Sequence, residues 1–391
     1  MAMYSDYGFD KLTNDGGFSE MVFGYLASWL GPIYEKDDFY SINDYLSPRL
    51  SNVAHIQNIL LLERDSFTDN DAIKNAILNY GAVGTSMHFD YDYLKSFSYY
   101  YNGFEAHDHA VTIVGWDDNY SKHNFRNAPP GDGAWIVRNS WGPTWGNNGY
   151  FYVSYYDSKF AEVNEAMSYT FILNDTVPLN RNYQYETGYT SRMTPDNSSN
   201  EVSYKNIFTS IGDENLAAVS TYFIESCDYN VSIYINDIPV ASKSGNANAG
   251  YSTIYLDDMI GLNTGDVVTV QFDCKNFKNG VGRIACSAKS LMANLYLKEG
   301  VSYYRSGFKW IDFSSKGAIG CIKMFTSFSN QSRVTPYFQA VSQKNVTEDS
   351  YIVTVVLPPY ATGFVSFNIA GNIERIISRS EERFSRNAET D

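Results

Sequence analysis

Five histidines stand in this 391-residue chain, and only His107 and His109 lie beside dense sequence signals. His109 opens the run His-Ala-Val-Thr-Ile-Val-Gly-Trp, and the run Gly-Ala-Trp-Ile-Val-Arg-Asn-Ser-Trp-Gly follows from Gly133 to Gly142. An imidazole in such a setting can ligate a metal or take a proton as a base. Two histidines at i and i+2 on a strand share a face, as ligation would require, but no third ligand stands at a sensible spacing, so no metal and no cofactor are expected. For His107 a plain surface role is the better reading, and Asp117-Asp118 reads as a solvated turn before it reads as a cation site. All four cysteines, Cys227, Cys274, Cys286 and Cys321, fall in the second half without a C-x-x-C spacing. They form two disulfides or remain buried thiols, and none adjoins a motif that would make it a nucleophile.

The elements that must position the two runs can be read from periodicity. Residues 19–30 place Val22, Leu26, Trp29 and Leu30 on one helical face, and Gly31-Pro32 ends it. A second helix is signalled by Thr68 as cap with Asp71 three residues on, by Ile73, Ala76, Ile77 and Tyr80 on one face, and by Gly81 as its stop. Segments 82–89, 110–116, 134–139 and 150–156 are rich in strand formers and separated by turn residues. Helices first and sheet later predict an α+β domain. Residues 175–200 turn polar and read as a linker or domain edge. Short strands up to about residue 339 predict a β-sandwich without helices of note. Beyond Thr347, the run 351–357 and the alternating Val365, Phe367 and Ile369 predict a hairpin of a small all-β module, with a charged tail from Glu374.

With these residues in place, the chain resembles the papain family of cysteine peptidases. The family's strand beginning Asp-His-Ala is matched by Asp108-His109-Ala110, its Asn-Ser-Trp-Gly by Asn139-Ser140-Trp141-Gly142, and its Trp-Gly-x-x-Gly-Tyr by residues 145–150. The resemblance covers about residues 3 to 172 and implies a division of labour. A thiol is a weak nucleophile until an imidazole takes its proton, and His109 would be that base. The Asn139 side-chain carbonyl would hold the other ring nitrogen without adding charge. Trp141 would shield that hydrogen bond, with Trp145 in the same wall. Asn14-Asp15-Gly16-Gly17 resembles the cleft segment where Gly16 and Gly17 let an extended peptide substrate approach the backbone. Ala110 and Ser86 fall where the family forms the pocket for the second side chain before the scissile bond.

One departure limits the expectation. The family's nucleophile lies well before the Gly-Gly segment, behind the glutamine of the oxyanion hole, yet no cysteine precedes Cys227. The reading is therefore an α+β papain-like domain incomplete at its N-terminus (1–174), an all-β lectin-like sandwich (175–340) and a partial immunoglobulin-like module with a charged tail (341–391). Secreted papain-like peptidases of archaea and clostridia resemble that arrangement, which implies an extracellular or cell-surface protein acting on peptides or proteins, with a cell-surface glycan as partner of the second domain. As written the chain should not cleave peptide bonds; catalysis would belong to a longer chain. The rival reading is a non-catalytic surface adhesion protein on a decayed peptidase scaffold. A formal charge of −15, with charged residues at only 19%, argues against nucleic acid or anionic membranes, which need clustered Lys and Arg. No apolar run reaches membrane-span length and no signal peptide is visible, while Asn-x-Ser/Thr triplets at Asn119, Asn174, Asn197, Asn230, Asn330 and Asn345 would permit glycosylation.

Overall fold

The computed structural model describes residues 16–34, 36–37, 53–163, 168–173, 179–195, 199–289, 295 and 297–328, with the backbone of short strands at 8–9, 293–294, 337–338, 352–356, 363–369, 372–378 and 384–387. Asn14, Asp15, Pro358-Pro359, Gly371 and the triplet asparagines 174, 197, 330 and 345 lie outside these residues. The chain divides into two compact units, Ile59–Ile172 and Met1–Asn58 with Leu173–Asp391.

The first of these is a helix on a twisted antiparallel sheet. Strand Val83–Met87 pairs with His109–Asp117, which pairs with Ala134–Arg138, which pairs with Tyr150–Ser154. Ser168–Leu173 flanks Val83–Met87 through Gly84 and Tyr169, and a Cβ on Gly84 would meet the Tyr169 ring at 2.6 Å. Helix Asp71–Tyr80 lays Ile73 and Ala76 on the sheet, where Val83, Ile113, Trp135, Val137, Val153 and Phe160 complete the core. Four strands thus lie where their strand-forming residues predict them, within two residues at each end. The helix is capped at Asn70 rather than Thr68, without a side-chain bond to the cap, because Asn70 instead accepts from buried Arg64.

Asp157 lies fully inside this unit, accepting from the backbone N–H groups of Tyr101 at 2.8 Å and Lys159 at 2.9 Å. Burial pushes its carboxyl up to about 7, against the opposite pull of those N–H groups, of the Phe160 N–H and of Arg64. The folded state then holds the proton more tightly than the unfolded chain does. The stabilisation is complete below pH about 4, the unfolded carboxyl's range, and is lost as pH rises to about 7. Asp157→Asn should flatten the loss of stability across that window. Urea midpoints of parent and variant at the two pH values measure it, and a difference that does not change with pH would refute it.

In the second unit, six strands in the order Ile238–Ala247, Cys227–Ile235, Val267–Lys275, Glu201–Thr209, Ser302–Ser306 and Lys309–Asp312 form one antiparallel sheet. Arg181–Tyr183, Ile322–Ser327, Glu214–Phe223 and Gly250–Leu262 pair in that order in a second. Their facing residues, among them Val202, Tyr204, Phe208, Val219, Phe223, Val231, Val270, Phe272 and Met324, form one core, which makes the unit a β-sandwich. Strand Glu201–Thr209 shows why: Val202, Tyr204, Asn206 and Phe208 point inward and are buried, while the residues between them are not. The four cysteines are free buried thiols. Burial pushes Cys286 up to about 11 and Cys321 well above the usual thiol range; Cys274 is raised first by its bond with Cys227 and then by burial. None has the exposed thiolate that nucleophilic catalysis needs.

Three expectations are corrected here. Helix Ser19–Ala27 buries Met21, Phe23, Gly24 and Ala27 rather than the face of Val22 and Leu26, because Gly24 lets its backbone close on Thr187 and Gly188; a Cβ at Gly24 would meet the Thr187 oxygen at 2.3 Å. The polar stretch 175–200 contains strands Arg181–Tyr183 and Ser191–Met193, each at the edge of its sheet, where polar residues can face solvent. Glu374 opens no tail: Asn372–Ser378 is a strand in register with Gly363–Ile369, and Ile352–Val356 pairs with Phe384–Asn387.

Candidate active site

His109 begins its strand at the end where Met87, its register partner, closes the neighbouring strand. Asn139 follows directly on strand Ala134–Arg138, the neighbour of His109's strand, and its backbone N–H is fixed to the Gly149 carbonyl at 2.9 Å. The strand ends therefore bring together two side chains thirty residues apart. His109 Nε2 lies 2.9 Å from Asn139 Oδ1. That same oxygen accepts from the Ser140 backbone N–H at 2.7 Å, so the amide oxygen faces two N–H groups and cannot exchange places with the amide nitrogen. It follows that Nε2 carries the hydrogen. The lone pair of the neutral ring is then on Nδ1, on the far side from Asn139, where an incoming acid would find it.

The turn after Asn139 owes its shape to glycine. Gly142, Gly146 and Gly149 all have positive φ, and a Cβ on Gly146 would meet the Tyr150 oxygen at 2.6 Å. The loop thereby carries Trp141 back over the histidine, with ring centroids 4.8 Å apart and planes within 28°. Trp145 meets Trp141 edge to face at 5.0 Å. Asn139 is 5% exposed and Trp141 40%, so the amide–imidazole bond is covered while the indole keeps a solvent face.

Phe89 is a member of this wall that pattern reading did not single out. Its ring stands edge to face with Trp141 at 4.9 Å and His109 at 5.9 Å, and stacks on Tyr99 at 5.2 Å. Tyr91 accepts from the Trp145 indole at 3.4 Å. The signal was the aromatic run Phe89-Asp90-Tyr91, but only the Met87–His109 register puts it against the histidine. Asp108 locks the segment: one carboxylate oxygen accepts from the Phe89 N–H at 2.9 Å and the other lies 3.1 Å from His88 Nδ1.

Among the remaining expected residues, Ser86 and Ala110 are direct register partners, so the sheet brings this pair together beside the Met87–His109 pair. Gly16 and Gly17 precede helix Ser19–Ala27, are exposed, and belong to the other compact unit. His107 is not a plain surface residue: it is partly buried and lies 3.1 Å from the Glu162 carboxylate. Among the described residues no group of three His, Cys, Asp or Glu could hold a metal ion. Asp118 is occupied by Lys74 at 2.6 Å and Tyr155 at 2.8 Å.

The His109–Asn139 pair under Trp141 is the arrangement expected from the papain resemblance, and the second unit is a β-sandwich. A family model for papain family cysteine proteases matches residues 8–171, and one for lectin-like domains matches residues 182–326. The chain thus carries a papain-family cysteine protease domain followed by a lectin-like domain. Pro-cathepsin H of Mus musculus is 31% identical over 147 residues, covering 35% of this chain and 40% of the relative. Serine-repeat antigen protein 5 of Plasmodium falciparum is 33% identical over 127 residues, 30% of this chain and 12% of the relative. The chain spans 40% or less of the length of these curated relatives. The solved cysteine protease and lectin-like domains of Cwp84, a surface layer associated protein of Clostridium difficile, superpose with a TM-score of 0.71 at 24% identity, covering 84% of this chain and 77% of that one. The two share a fold.

Proposed function

We propose that His109 and Asn139 are the base and the orienting amide of a cysteine-type endopeptidase site. The observation that carries this reading is the 2.9 Å bond from His109 Nε2 to an amide oxygen fixed in place by the Ser140 N–H, under Trp141. A cysteine thiol at Nδ1 gives its proton to the ring, and the thiolate adds to the scissile carbonyl. The ring then returns the proton to the departing amine, and water releases the acyl group. Trp141 and Trp145 wall the site, and Ser86 and Ala110 line the pocket for a substrate side chain.

None of the four cysteines of this sequence supplies the nucleophile, because all four are buried thiols remote in sequence from His109 and Asn139. The 391-residue polypeptide alone should show no thiol-dependent hydrolysis of a casein or fluorogenic peptide substrate. The same polypeptide extended at its N-terminus by a papain-family segment bearing Gln and Cys should show it and lose it to a thiol-directed inhibitor. A correctly folded extended chain without activity would instead favour the adhesion protein on a peptidase scaffold.

Asn139→Ala in the active extended chain is expected to cost about 10²-fold in kcat with little change in KM, since the ring loses its fixed tautomer and orientation. Kinetics at saturating substrate would decide, and an unchanged kcat would exclude the orienting role. The surface-layer setting named for the Cwp84 structure supports an extracellular or cell-surface location, with the lectin-like unit holding the peptidase to a glycan there. We also read 1–174, 175–340 and 341–391 as the domains, the last an immunoglobulin-like repeat in part.

A further inference from the structure

The six-stranded sheet turns one face into the sandwich core and the other to solvent, and the solvent face is organised. Strand register aligns Ser244, Asn230, Asp273 and Ser203 as successive partners across four strands. Arg305 stands on the next strand, two residues beyond Tyr303, the partner of Lys205, and is itself paired with Trp310. Asn246, Asp228, Lys275 and Glu201 form a parallel row beside the first. Both rows line a shallow cleft of about 620 Å³.

Three properties of the cleft narrow what it can hold. Its charges offset one another, with Glu201, Asp228 and Asp273 against Lys275 and Arg305, which suits neither a polyanion nor a polycation. Its amides, hydroxyls and carboxylates are held in place by one another. Ser244 donates to Asn230 Oδ1 at 2.8 Å, Asn230 to the Ser232 hydroxyl at 3.0 Å, Gln271 to Asp273 at 2.9 Å and Asn276 to Asp228 at 2.7 Å. Such side chains have already lost their rotamer freedom, so a ligand that takes their remaining donors and acceptors loses little entropy in binding. Adjacent donors and acceptors at close spacing match the vicinal hydroxyls of a sugar ring.

The third property is an aromatic end. Trp310 lies partly exposed beside Arg305, with the Lys205 ammonium 4.6 Å from its ring centroid. Two residues earlier, at the tip of the hairpin, Phe308 is 97% exposed. Fully exposed, Phe308 contributes nothing to the core and leaves its ring open for a ligand to stack on. Strands lie about 4.8 Å apart, so the row from Ser244 to Arg305 runs about 19 Å, long enough for several sugar rings.

We propose that this face binds a neutral, hydroxyl-rich polysaccharide laid across the strands from Ser244 to Arg305, with Trp310 and Phe308 stacking at one end. The proposal rests on the glycan-binding reading of the lectin-like unit and gives that reading a place. Affinity electrophoresis of the full 391-residue chain through gels containing mannan, a mixed-linkage β-glucan, soluble N-acetylated chitin oligomers or heparin tests it. Retardation is expected in at least one neutral gel and not with heparin. Asn230→Ala and Asp273→Ala should each weaken retardation at least tenfold and Phe308→Ala about threefold, while Ile211→Ala, at an exposed turn outside the cleft, leaves it unchanged. Thermal midpoints identify any variant that fails to fold, and Ser203→Ala then serves as the second cleft variant. Neutral binding that survives the folded cleft variants overturns this site and leaves the glycan reading standing. Binding of heparin alone overturns the neutral ligand, and no retardation in any gel overturns the glycan reading itself.

Discussion

His109→Ala, made in the extended polypeptide that carries a thiol nucleophile, is expected to lower kcat/KM for peptide hydrolysis by about 10⁴-fold or more. The size follows from the double use of the ring. Without it the thiol keeps its proton near neutral pH, and the departing amine has no acid to protonate it. The loss should exceed that of Asn139→Ala by about 10²-fold, since an unoriented imidazole still transfers protons part of the time. Folding should be nearly indifferent. Asn139 Oδ1 keeps the Ser140 N–H when the ring is removed, and Trp141 keeps its contacts with Phe89 and Trp145. Measured kcat/KM together with an unchanged thermal midpoint would establish the role; activity within tenfold of the parent would remove His109 from the reaction.

Arg64→Met should have the largest effect on stability, about 3–5 kcal/mol. The guanidinium is 1% exposed and donates to Asn70 Oδ1 at 2.7 Å and to the carbonyls of Phe67, Tyr155, Ala161 and Asp69 at 2.8, 3.1, 3.2 and 3.3 Å. Burial lowers its pKa to about 10, which leaves it charged at neutral pH. Methionine fills the volume against Trp135 but leaves several buried acceptors without donors, each costing about 1–3 kcal/mol before relaxation. Lysine keeps the charge and loses the fork, so Arg64→Lys should recover only a minor part. Urea unfolding of the Ile59–Ile172 unit within the full chain reads the difference, and a shift below about 1 kcal/mol would show that water replaces the lost bonds.

Arg64 and Phe89 also mark where sequence reading stopped. Nothing around Arg64 signals burial, because two of its five acceptors, the carbonyls of Tyr155 and Ala161, lie more than ninety positions away and cover it only once the chain has folded. Phe89 looks like the end of a strand until register sets it against His109 and Trp141. Similarly, the periodic face of residues 19–30 was misread because Gly24 could close on Gly188, a contact 164 positions away that local hydrophobic spacing does not encode.

The sequence by itself determined the strands, through runs of strand-forming residues between turns, and the residue types of the site, through His109, Asn139, Trp141 and the glycines that shape the turn behind them. Those features are local: they depend on residue type and on backbone angles that only glycine adopts readily. Tertiary structure alone decided that Phe89 stands against His109, that all four cysteines are buried, and that polar residues of five strands line one cleft. The physical reason is register. Pairing strands far apart in the chain fixes which side chains share a face, and a shift of one residue would turn every one of them away.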